Sequence, residues 1–299
     1  MKSLIIVFLT ILSMKAFSSQ YSLECNEAAI TKTESNASLT DQQNKNFKIL
    51  KSIGLSDIDE TLFLIFDSMK NHAEDINAQP SVDDPNRISI LIERVNSIFV
   101  SQADMQLKRS ELAEILRTFQ KIENANIDNI DLIRILNLYS IYKLNTLEIR
   151  TVLENKLCGL SNNEIFSIYL YTGGAYKPIN EALRNKNKDF LQFSALIETI
   201  NSGLEKLKPF LGVTDRGANL SEKALEQHRV GNKVTYPAFT SASRVRGFES
   251  DYEFKLTSKN GRYIAPLSIH PDEEEVLFKN NTSFVVDSQT SYTFFMTEQ

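Results

Sequence analysis

The hydrophobic residues of this 299-residue chain change their spacing once, at about Gly212, and that change limits the folds open to the chain. Before it, apolar residues recur every three or four positions, which is typical of helices that pack by one face. After it, short runs rich in Val, Phe, Tyr and Thr alternate with polar residues and are typical of strands. Helices and strands in separate blocks predict an α+β fold, with a helical bundle followed by a mixed or antiparallel β-sheet.

The helical half carries three amphipathic patterns. Asp84 and Pro85 are typical of a helix start and precede the apolar residues Ile88, Leu91, Ile92, Val95 and Phe99. Two further stripes follow, formed by Leu112, Ile115, Leu116, Phe119 and Ile122, and by Ile130, Ile133, Leu136 and Ile141. Together they predict a helical bundle between about residues 44 and 157.

The C-terminal half carries six candidate strands separated by Gly, Asn, Asp and Ser turns. They are Val234–Thr240, Tyr252–Leu256, Tyr263–Ile269, Val276–Phe278, Ser283–Val286 and Tyr292–Met296. The pair Gly173–Gly174 lacks the third glycine and the preceding strand of a dinucleotide-binding fingerprint. The sequence therefore argues against a doubly wound parallel sheet.

The first residues have the three-part pattern of a secretory signal peptide. Lys2 precedes an apolar run over residues 4–12, and Ala16, Ser18 and Ser19 provide a small-residue cleavage site. A retained N-terminal anchor is the alternative, although the run is short for a spanning helix. We expect a signal peptide at 1–19, a helical domain at 20–150 and a catalytic domain at 151–299. The expected product is a secreted protein without a stable membrane span.

Net charge and cysteine content narrow the expected partners. The formal net charge of −5 provides no long-range positive field, so we expect no nucleic-acid partner. Cys25 and Cys158 both remain after cleavage, and in an oxidising compartment they either form a disulfide or stay as two buried thiols. The three histidines are scattered and no cysteine has a histidine at ligand spacing, so we expect no metal site.

Three short segments of the strand-rich half carry candidate chemistry. Arg216 ends an apolar strand and is followed by Gly217, a combination that suits a bidentate clamp on phosphate oxygens with close backbone approach. Ser241 and Ser243 alternate at a strand exit and should lie on one side. Each segment also has an ordinary structural interpretation as a solvated strand end.

The third segment places three consecutive glutamates before the apolar strand Val276–Phe278. Strand alternation would direct Glu273 and Glu275 to one side and Glu274 to the other. Two carboxylates on one cleft can divide the work, with one stabilising a developing cation and the other orienting a nucleophile and accepting its proton. An acidic turn that keeps a strand edge soluble is the alternative.

The order of these segments resembles the mono-ADP-ribosyltransferases of the Arg-Ser-Glu class, which include cholera toxin, the binary actin-modifying toxins and the vertebrate ecto-transferases. The helical lead-in of that family, Y-T-x-x-x-Y followed by I-N-x-x-L-R, is matched by Tyr171, Thr172 and Tyr176 and by Ile179, Asn180, Leu183 and Arg184. The resemblance covers roughly residues 150 to 299. It implies an ADP-ribosyltransferase-type sheet domain that uses NAD as co-substrate.

The resemblance also implies roles for individual residues. Arg216 would hold the NAD phosphates, and the backbone of Gly217 would meet the nicotinamide amide. Ser241 would hydrogen-bond the catalytic glutamate, Glu275. That glutamate would bind the nicotinamide ribose and stabilise the oxocarbenium-like transition state.

Two further residues complete the implied site. Glu273 would present the acceptor, and a glutamate at this place implies that the acceptor is arginine. Phe248 would stack on the nicotinamide ring, or is an ordinary packed aromatic. Ala242 departs from the S-T-S element but should face away from the cleft, and Asp215 should point to the opposite face from Arg216.

These features together predict an exported, toxin-like enzyme that transfers ADP-ribose from NAD to an arginine of a target protein. An NAD glycohydrolase, in which water takes the place of arginine, is one alternative. A non-catalytic interaction protein on a degenerate transferase fold is the other.

Overall fold

The computed structural model describes residues 22–29, 38–72, 105–124, 129–153, 157–186 and 188–299. The predicted signal peptide at 1–19 and the helix predicted from Asp84 to Phe99 lie outside these ranges. Within them, helices occupy the N-terminal part and strands the C-terminal part, so the predicted α+β fold is confirmed. No helix among the described residues has both the length and the apolar character that a membrane span needs.

Helices fill the described chain up to residue 206. Their bounds are α1 (Asp41–Ser52), α2 (Glu60–Met69), α3 (Met105–Asn124), α4 (Ile130–Leu153), α5 (Asn162–Leu170), α6 (Tyr176–Asn185) and α7 (Lys188–Lys206), and a short α8 (Glu222–Gln227) follows the first strand. Capping boxes start α1 and α5, where Thr40 and Ser161 accept from the backbone N–H three residues on. The second and third predicted stripes lie in α3 and α4.

An aromatic cluster forms the centre of the helical layer. Phe66, Tyr139, Tyr142 and Phe166 pack with ring centroids 5.1 to 6.2 Å apart, and most pairs meet edge to face. The same core continues to buried residues of the sheet, including Leu277. Each fully buried aromatic or aliphatic side chain stabilises the fold by about 1.5 to 3 kcal/mol. The helices therefore cover one face of the sheet and hold it in place.

The predicted domain boundary falls inside a helix. Helix α4 runs from Ile130 to Leu153 and so crosses the expected division between residues 150 and 151. The assignment of separate roles to 20–150 and 151–299 stays a prediction.

The N-terminal segment is fastened to the junction between α7 and the first strand. Cys25 and Cys158 form a disulfide across 133 residues, which decides between the two alternatives left open by the sequence. Beside it, the Asn26 N–H donates to the Lys206 carbonyl at 2.8 Å and the Lys208 N–H donates to the Glu24 carbonyl at 2.7 Å. This attachment is both covalent and hydrogen-bonded.

Seven strands of the described residues form one mixed sheet. They are β1 (Pro209–Ala218), β2 (Lys233–Tyr236), β3 (Thr240–Ser243), β4 (Tyr252–Tyr263), β5 (Glu275–Phe278), β6 (Thr282–Gln289) and β7 (Thr293–Glu298). Their order is β1-β3-β5-β4-β7-β6-β2, and only β4 and β7 pair in parallel. Because β1 also pairs with β4, strands β1, β3, β5 and β4 close into a ring of pairings. This closure brings β1, β3 and β5 together although they are distant in sequence.

The two faces of the sheet belong to different cores. In β5, Leu277 packs into the helical core, whereas Val276 and Phe278 join a second apolar cluster. Ala242 belongs to that second cluster as well, as expected for a side chain on the opposite face from Ser241, although the residue also contributes to the lining of the cleft.

Two of the predicted strands are interrupted at a proline, and a third, Tyr252–Leu256, continues to Tyr263 as β4. Val234–Thr240 is divided into β2 and β3, and proline at position 237 lies in the break. Tyr263–Ile269 is not a strand, because β4 ends at Tyr263 and residues 265–267 form a 3-10 turn that contains Pro266. A proline has no N–H to give to a ladder, so both segments leave the sheet where one occurs.

Candidate active site

A cleft of about 410 Å³ lies between the α5–α6 junction and strands β1, β3 and β5. Its volume falls within the range of small-molecule sites. All six predicted site residues line it: Arg216, Gly217, Ser241, Phe248, Glu273 and Glu275. The strand order therefore joins three segments that the sequence separates by as many as 59 positions.

The helical side of the cleft is formed where the chain kinks between α5 and α6. The kink lies within Tyr171–Ala175, where Gly173 leaves helical geometry with φ −88° and ψ −141°. The Thr172 hydroxyl accepts from the Ile269 N–H at 3.0 Å. A Cβ on Gly173 would lie 2.8 Å from the Ile269 side chain. The kink thus holds the segment that precedes the acidic residues close against the helices.

Arg216 enters the cleft from β1. Its guanidinium donates from Nη1 to the Ser241 carbonyl at 2.5 Å, which ties β1 to β3. Burial lowers the pKa of Arg216, while Glu275 acts in the opposite direction. Asp215 forms an ion pair with Lys255 at 3.0 Å, so it does not occupy the guanidinium that phosphate would need. Arg216 is a cation positioned for an anionic ligand.

Tyr236, the last residue of β2, supports the surroundings of Arg216. Its hydroxyl hydrogen-bonds Nε2 of His228 at 2.7 Å, and Nδ1 of His228 meets the Ala224 carbonyl at 2.7 Å. Burial raises the pKa of Tyr236 to about 12. The phenol therefore stays neutral beside the guanidinium.

Glu275 is the buried carboxylate of the cleft, with 5% of its surface exposed. Burial raises its pKa to about 7; the hydrogen bond from Ser241 and the charge of Arg216 lower it, and Glu273 raises it further. A carboxylate with a pKa near neutrality in a cleft is typical of functional sites. The predicted pairing of Ser241 with Glu275 is present.

Glu273 reaches the same cleft, but for a different reason from the predicted one. Strand β5 begins only at Glu275, and Glu273 ends a 3-10 turn over Pro271–Glu273. Glu274 has a left-handed backbone with φ +52°, and this reverses the chain between the two acidic residues. The prediction that strand alternation directs them to one side is therefore wrong in mechanism. Burial raises the pKa of Glu273, and His270 opposes the shift.

Ser243 supports the acidic turn instead of facing Glu275. Its hydroxyl donates to the Glu273 carbonyl at 2.8 Å and accepts from the Val245 and Arg246 N–H groups at 3.1 Å each. Both predicted serines line the cleft, but they hold different segments.

Gly217 lies directly beneath the segment that follows β3. A Cβ at this position would lie 1.9 Å from the Phe248 carbonyl oxygen and 2.4 Å from the Ser250 hydroxyl. Across the contact, a Cβ on Gly247 would lie 3.0 Å from the backbone of Arg216 and Gly217. Two backbones therefore touch here, and Phe248 extends from the crossing with 64% of its surface exposed.

The cleft also contains residues to which the sequence analysis assigned no role. Tyr171, Asn180, Arg184 and His270 line it, and Asn180 donates to the Tyr171 hydroxyl at 3.0 Å. Arg184 is close enough to lower the pKa of Arg216, so two cations share the cleft. The patterns Y-T-x-x-x-Y and I-N-x-x-L-R contain Tyr171, Asn180 and Arg184 and so carry a sequence signal for these three, whereas His270 lies in neither pattern.

Among the described residues, no three His, Cys, Asp or Glu side chains are grouped so that they could hold a metal ion.

Comparison with known proteins points to one family. Residues 141–294 match the family model described as NAD:arginine ADP-ribosyltransferase. A protein from Mycobacterium avium (strain 104) that carries the name NAD(+)–arginine ADP-ribosyltransferase is 36% identical over 137 residues. An NAD(+)–protein-arginine ADP-ribosyltransferase from Serratia proteamaculans (strain 568) is 34% identical over 128 residues.

The coverage of these relatives is partial. The matched regions are 44% and 42% of this chain but only 16% and 29% of the two relatives. Among solved structures, the ADP-ribosyltransferase HopU1 of Pseudomonas syringae pv. Tomato DC3000 has a TM-score of 0.44 and 20% identity. The match covers 51% of this chain and 82% of the HopU1 chain.

Proposed function

This chain belongs to the NAD:arginine ADP-ribosyltransferase family, and on that premise we propose that it transfers ADP-ribose from NAD to an arginine of a target protein. Nicotinamide is the product that leaves. The observation that carries the proposal is the meeting of Arg216, Ser241, Glu273 and Glu275 in one cleft, with Glu275 buried and hydrogen-bonded to Ser241. These groups fit a substrate with an anionic pyrophosphate and a reacting centre that becomes cationic.

The cations of the cleft suit the pyrophosphate. Arg216 presents a planar guanidinium that can bind phosphate oxygens with two parallel hydrogen bonds. Arg184 adds a second positive charge to the same cleft. We propose that the two arginines orient NAD by its phosphates, so that the nicotinamide ribose reaches Glu275.

Glu275 is the group proposed to drive bond cleavage. When the bond between ribose C1′ and the nicotinamide nitrogen breaks, its electron pair leaves with nicotinamide and C1′ becomes cationic. An ionised carboxylate fixed beside C1′ stabilises this charge more in the transition state than in the ground state. Ser241 orients that carboxylate through its hydroxyl.

Glu273 is the group proposed to act on the acceptor. A guanidinium is a poor nucleophile until it loses a proton, because its pKa exceeds about 12. Glu273 can hydrogen-bond the acceptor, direct one nitrogen towards C1′ and accept the proton released as the new C–N bond forms. The raised pKa of Glu273 makes it a better proton acceptor than an exposed carboxylate.

The test is an assay with NAD, with and without the guanidino compound agmatine. We expect nicotinamide release together with ADP-ribosyl-agmatine, and we expect Glu275→Gln to lose about a hundred- to a thousandfold in rate, as electrostatic groups of this kind contribute. The matched control is Glu226→Gln, which removes a carboxylate that is 70% exposed beside Arg229. Wild-type-like activity of Glu275→Gln would contradict the proposal.

The same assay separates the alternatives. Nicotinamide release that ignores agmatine, with free ADP-ribose as the product, would identify an NAD glycohydrolase. An absence of both NAD binding and NAD cleavage would identify a non-catalytic interaction protein. Mass spectrometry of candidate proteins after incubation with labelled NAD would then identify the target and the modified residue.

We propose further that the protein is exported. The signal-like residues 1–19 and the Cys25–Cys158 disulfide support this, because disulfides persist mainly in oxidising compartments. The test is N-terminal sequencing and thiol mapping of the protein from the extracellular fraction of the producing cells. A protein that starts at residue 1 and has two free thiols would contradict export.

A further inference from the structure

We propose that Glu274 is a positioning residue, held by Arg244 and Tyr263, that sets where Glu273 stands and so decides whether the cleaved ADP-ribose reaches a guanidino acceptor or water. This inference rests on the proposed function. It concerns the central residue of the acidic triplet, which points away from the cleft and has no role in the mechanism above.

The backbone of Glu274 requires an explanation. Its φ of +52° is left-handed, a conformation that is unfavourable for a residue with a side chain. The residue is nevertheless largely buried, with 9% of its surface exposed. A strained and buried acidic residue persists only when its surroundings hold it.

Arg244 and Tyr263 hold Glu274 through three contacts, and a fourth contact joins Arg244 to Tyr263. Nη2 of Arg244 lies 2.9 Å from Oε2 of Glu274, and the Tyr263 hydroxyl donates to the same oxygen at 3.1 Å. The Arg244 guanidinium stacks 4.2 Å above the centre of the Tyr263 ring. The Arg244 N–H also donates to the Glu274 carbonyl at 3.0 Å. We call these three residues the glutamate clamp.

The clamp is built on the rigid part of the sheet. Tyr263 ends β4 and is paired in register with Val276 of β5. Arg244 directly follows β3, whose Ser243 hydroxyl donates to the Glu273 carbonyl. The turn that carries Glu273 is therefore fastened to β3 and to β4. The fastening acts at Glu274, the residue next to Glu273 at which the chain reverses.

Glu275 has supports of its own. It lies in β5 opposite Ser243, its carbonyl accepts from the Ile264 N–H at 2.9 Å, and its carboxylate is bonded by Ser241. None of these contacts passes through the clamp. Loosening the clamp should therefore displace Glu273 and leave Glu275 in place.

Glu275 and Glu273 serve different halves of the reaction, so an assay that measures the two halves separately can detect a displacement of Glu273. Breaking the C1′–nicotinamide bond depends on Glu275, and the electron pair leaves with nicotinamide in either outcome. The new bond then forms from C1′ to a guanidino nitrogen, with its proton passed to Glu273, or to a water oxygen, with its proton passed to solvent. A misplaced Glu273 removes the advantage of the guanidino group over water, and errors of about 1 Å cost roughly a hundredfold.

The experiment compares transfer and hydrolysis in clamp variants of the full chain. We expect Arg244→Gln and Glu274→Gln to lower kcat/KM for agmatine by about ten- to a hundredfold. Nicotinamide release without acceptor should stay within about twofold of wild type, because electrostatic stabilisation by Glu275 is retained. The matched control is Arg229→Gln, an arginine that is 72% exposed and pairs with Glu226 on the surface.

A further variant guards against a simple loss of folding. Glu274→Gly favours the left-handed backbone, so the reversal can still form, but the side-chain bonds that fasten the turn to Arg244 and Tyr263 are lost. We expect the same selective loss of transfer in this variant at an unchanged melting temperature or a higher one. Tyr263→Phe, which removes only the hydroxyl, should give a smaller loss.

The outcomes distinguish this inference from the function on which it rests. If the wild-type chain does not modify agmatine, whether or not it releases nicotinamide, the proposed function fails. If the wild type is active and the clamp variants change transfer and hydrolysis by equal factors, or change neither, the clamp has no positioning role.

Discussion

Ser241 and Glu275 are hydrogen-bonded across neighbouring strands, although the register pairs each of them with a different residue. Ser241 lies opposite Leu277, and Glu275 lies opposite Ser243. The bond is therefore diagonal, and it stabilises the ionised form of a carboxylate that burial would otherwise keep protonated. The balance of these two effects leads to the first three predictions.

The activity should rise with pH through about 7. Burial raises the pKa of Glu275 to about 7, with Glu273 acting in the same direction and Ser241 and Arg216 in the opposite one. Only the ionised carboxylate can stabilise a cation, so kcat/KM for NAD should fall as pH drops below this value. The profile of kcat should lie at lower pH, since the nicotinamide ring of bound NAD is cationic and lowers the pKa of Glu275. Initial rates of nicotinamide release from pH 5 to 9 check this, and a flat kcat/KM would contradict it.

Ser241→Ala should move that profile to higher pH. The variant loses a hydrogen bond that lowers the pKa of Glu275. Hydrogen bonds to charged groups contribute about 1.5 to 3 kcal/mol, so we expect a loss of roughly tenfold or more in kcat/KM at pH 7. Ser243→Ala is the matched comparison on the same strand. The Ser243 hydroxyl bonds the Glu273 carbonyl, so the midpoint of the pH profile of Ser243→Ala should stay at the wild-type value.

Glu275→Gln should stabilise the fold at alkaline pH while it removes activity. The folded-state pKa of about 7 lies above the ordinary value of 4.5, so the folded protein binds the proton more tightly than the unfolded chain does. Wild-type stability therefore falls as pH rises from about 4.5 to 7. The Gln variant has no carboxyl group at this position, so it lacks this loss of stability. Since one pKa unit corresponds to about 1.4 kcal/mol, the variant should gain up to about 3 kcal/mol at pH 8 relative to pH 4.5. Urea unfolding of both proteins at pH 4.5 and pH 8 measures this. A difference in unfolding free energy between variant and wild type that is the same at both pH values would contradict the prediction.

Gly217→Ala should weaken NAD binding and lower stability by about 1 to 3 kcal/mol. The added methyl would lie 1.9 Å from a backbone oxygen of Phe248, so the segment over residues 247–250 must move. Gly212→Ala is the matched control on the same strand. There the new Cβ meets the tip of the Phe210 ring at 3.0 Å, and a side chain can turn aside where a backbone cannot. The KM for NAD and the melting temperature separate the two variants; equal effects would contradict the contact.

Reduction of the disulfide should lower stability without changing the chemistry. The bond between Cys25 and Cys158 closes 133 residues, and loss of such a link typically costs about 2 to 5 kcal/mol. We expect a lower urea midpoint in the presence of reductant, and wild-type kcat below the unfolding temperature. The Cys25→Ser, Cys158→Ser double variant should show the low midpoint with or without reductant. A reductant-independent midpoint for the wild-type chain would contradict the prediction.

Several parts of the site could be predicted from local sequence. Arg216, Ser241 and Glu275 have side chains whose chemistry is the same wherever they lie, and their order along short apolar runs was visible without a structure. Other parts depended on neighbours that are distant in sequence. The reversal at Glu274 could not be predicted, because the left-handed backbone is held by Arg244 and Tyr263.

The sequence by itself determined the helix-then-strand composition of this protein and the residue types available for catalysis, because periodicity and side-chain chemistry are local properties. Only the tertiary structure decided that strands β1, β3 and β5 meet, that Arg184 shares their cleft, and that Glu275 is buried enough to have a pKa of about 7. Desolvation and proximity are sums over atoms contributed by the whole fold, so no single segment of the chain contains them.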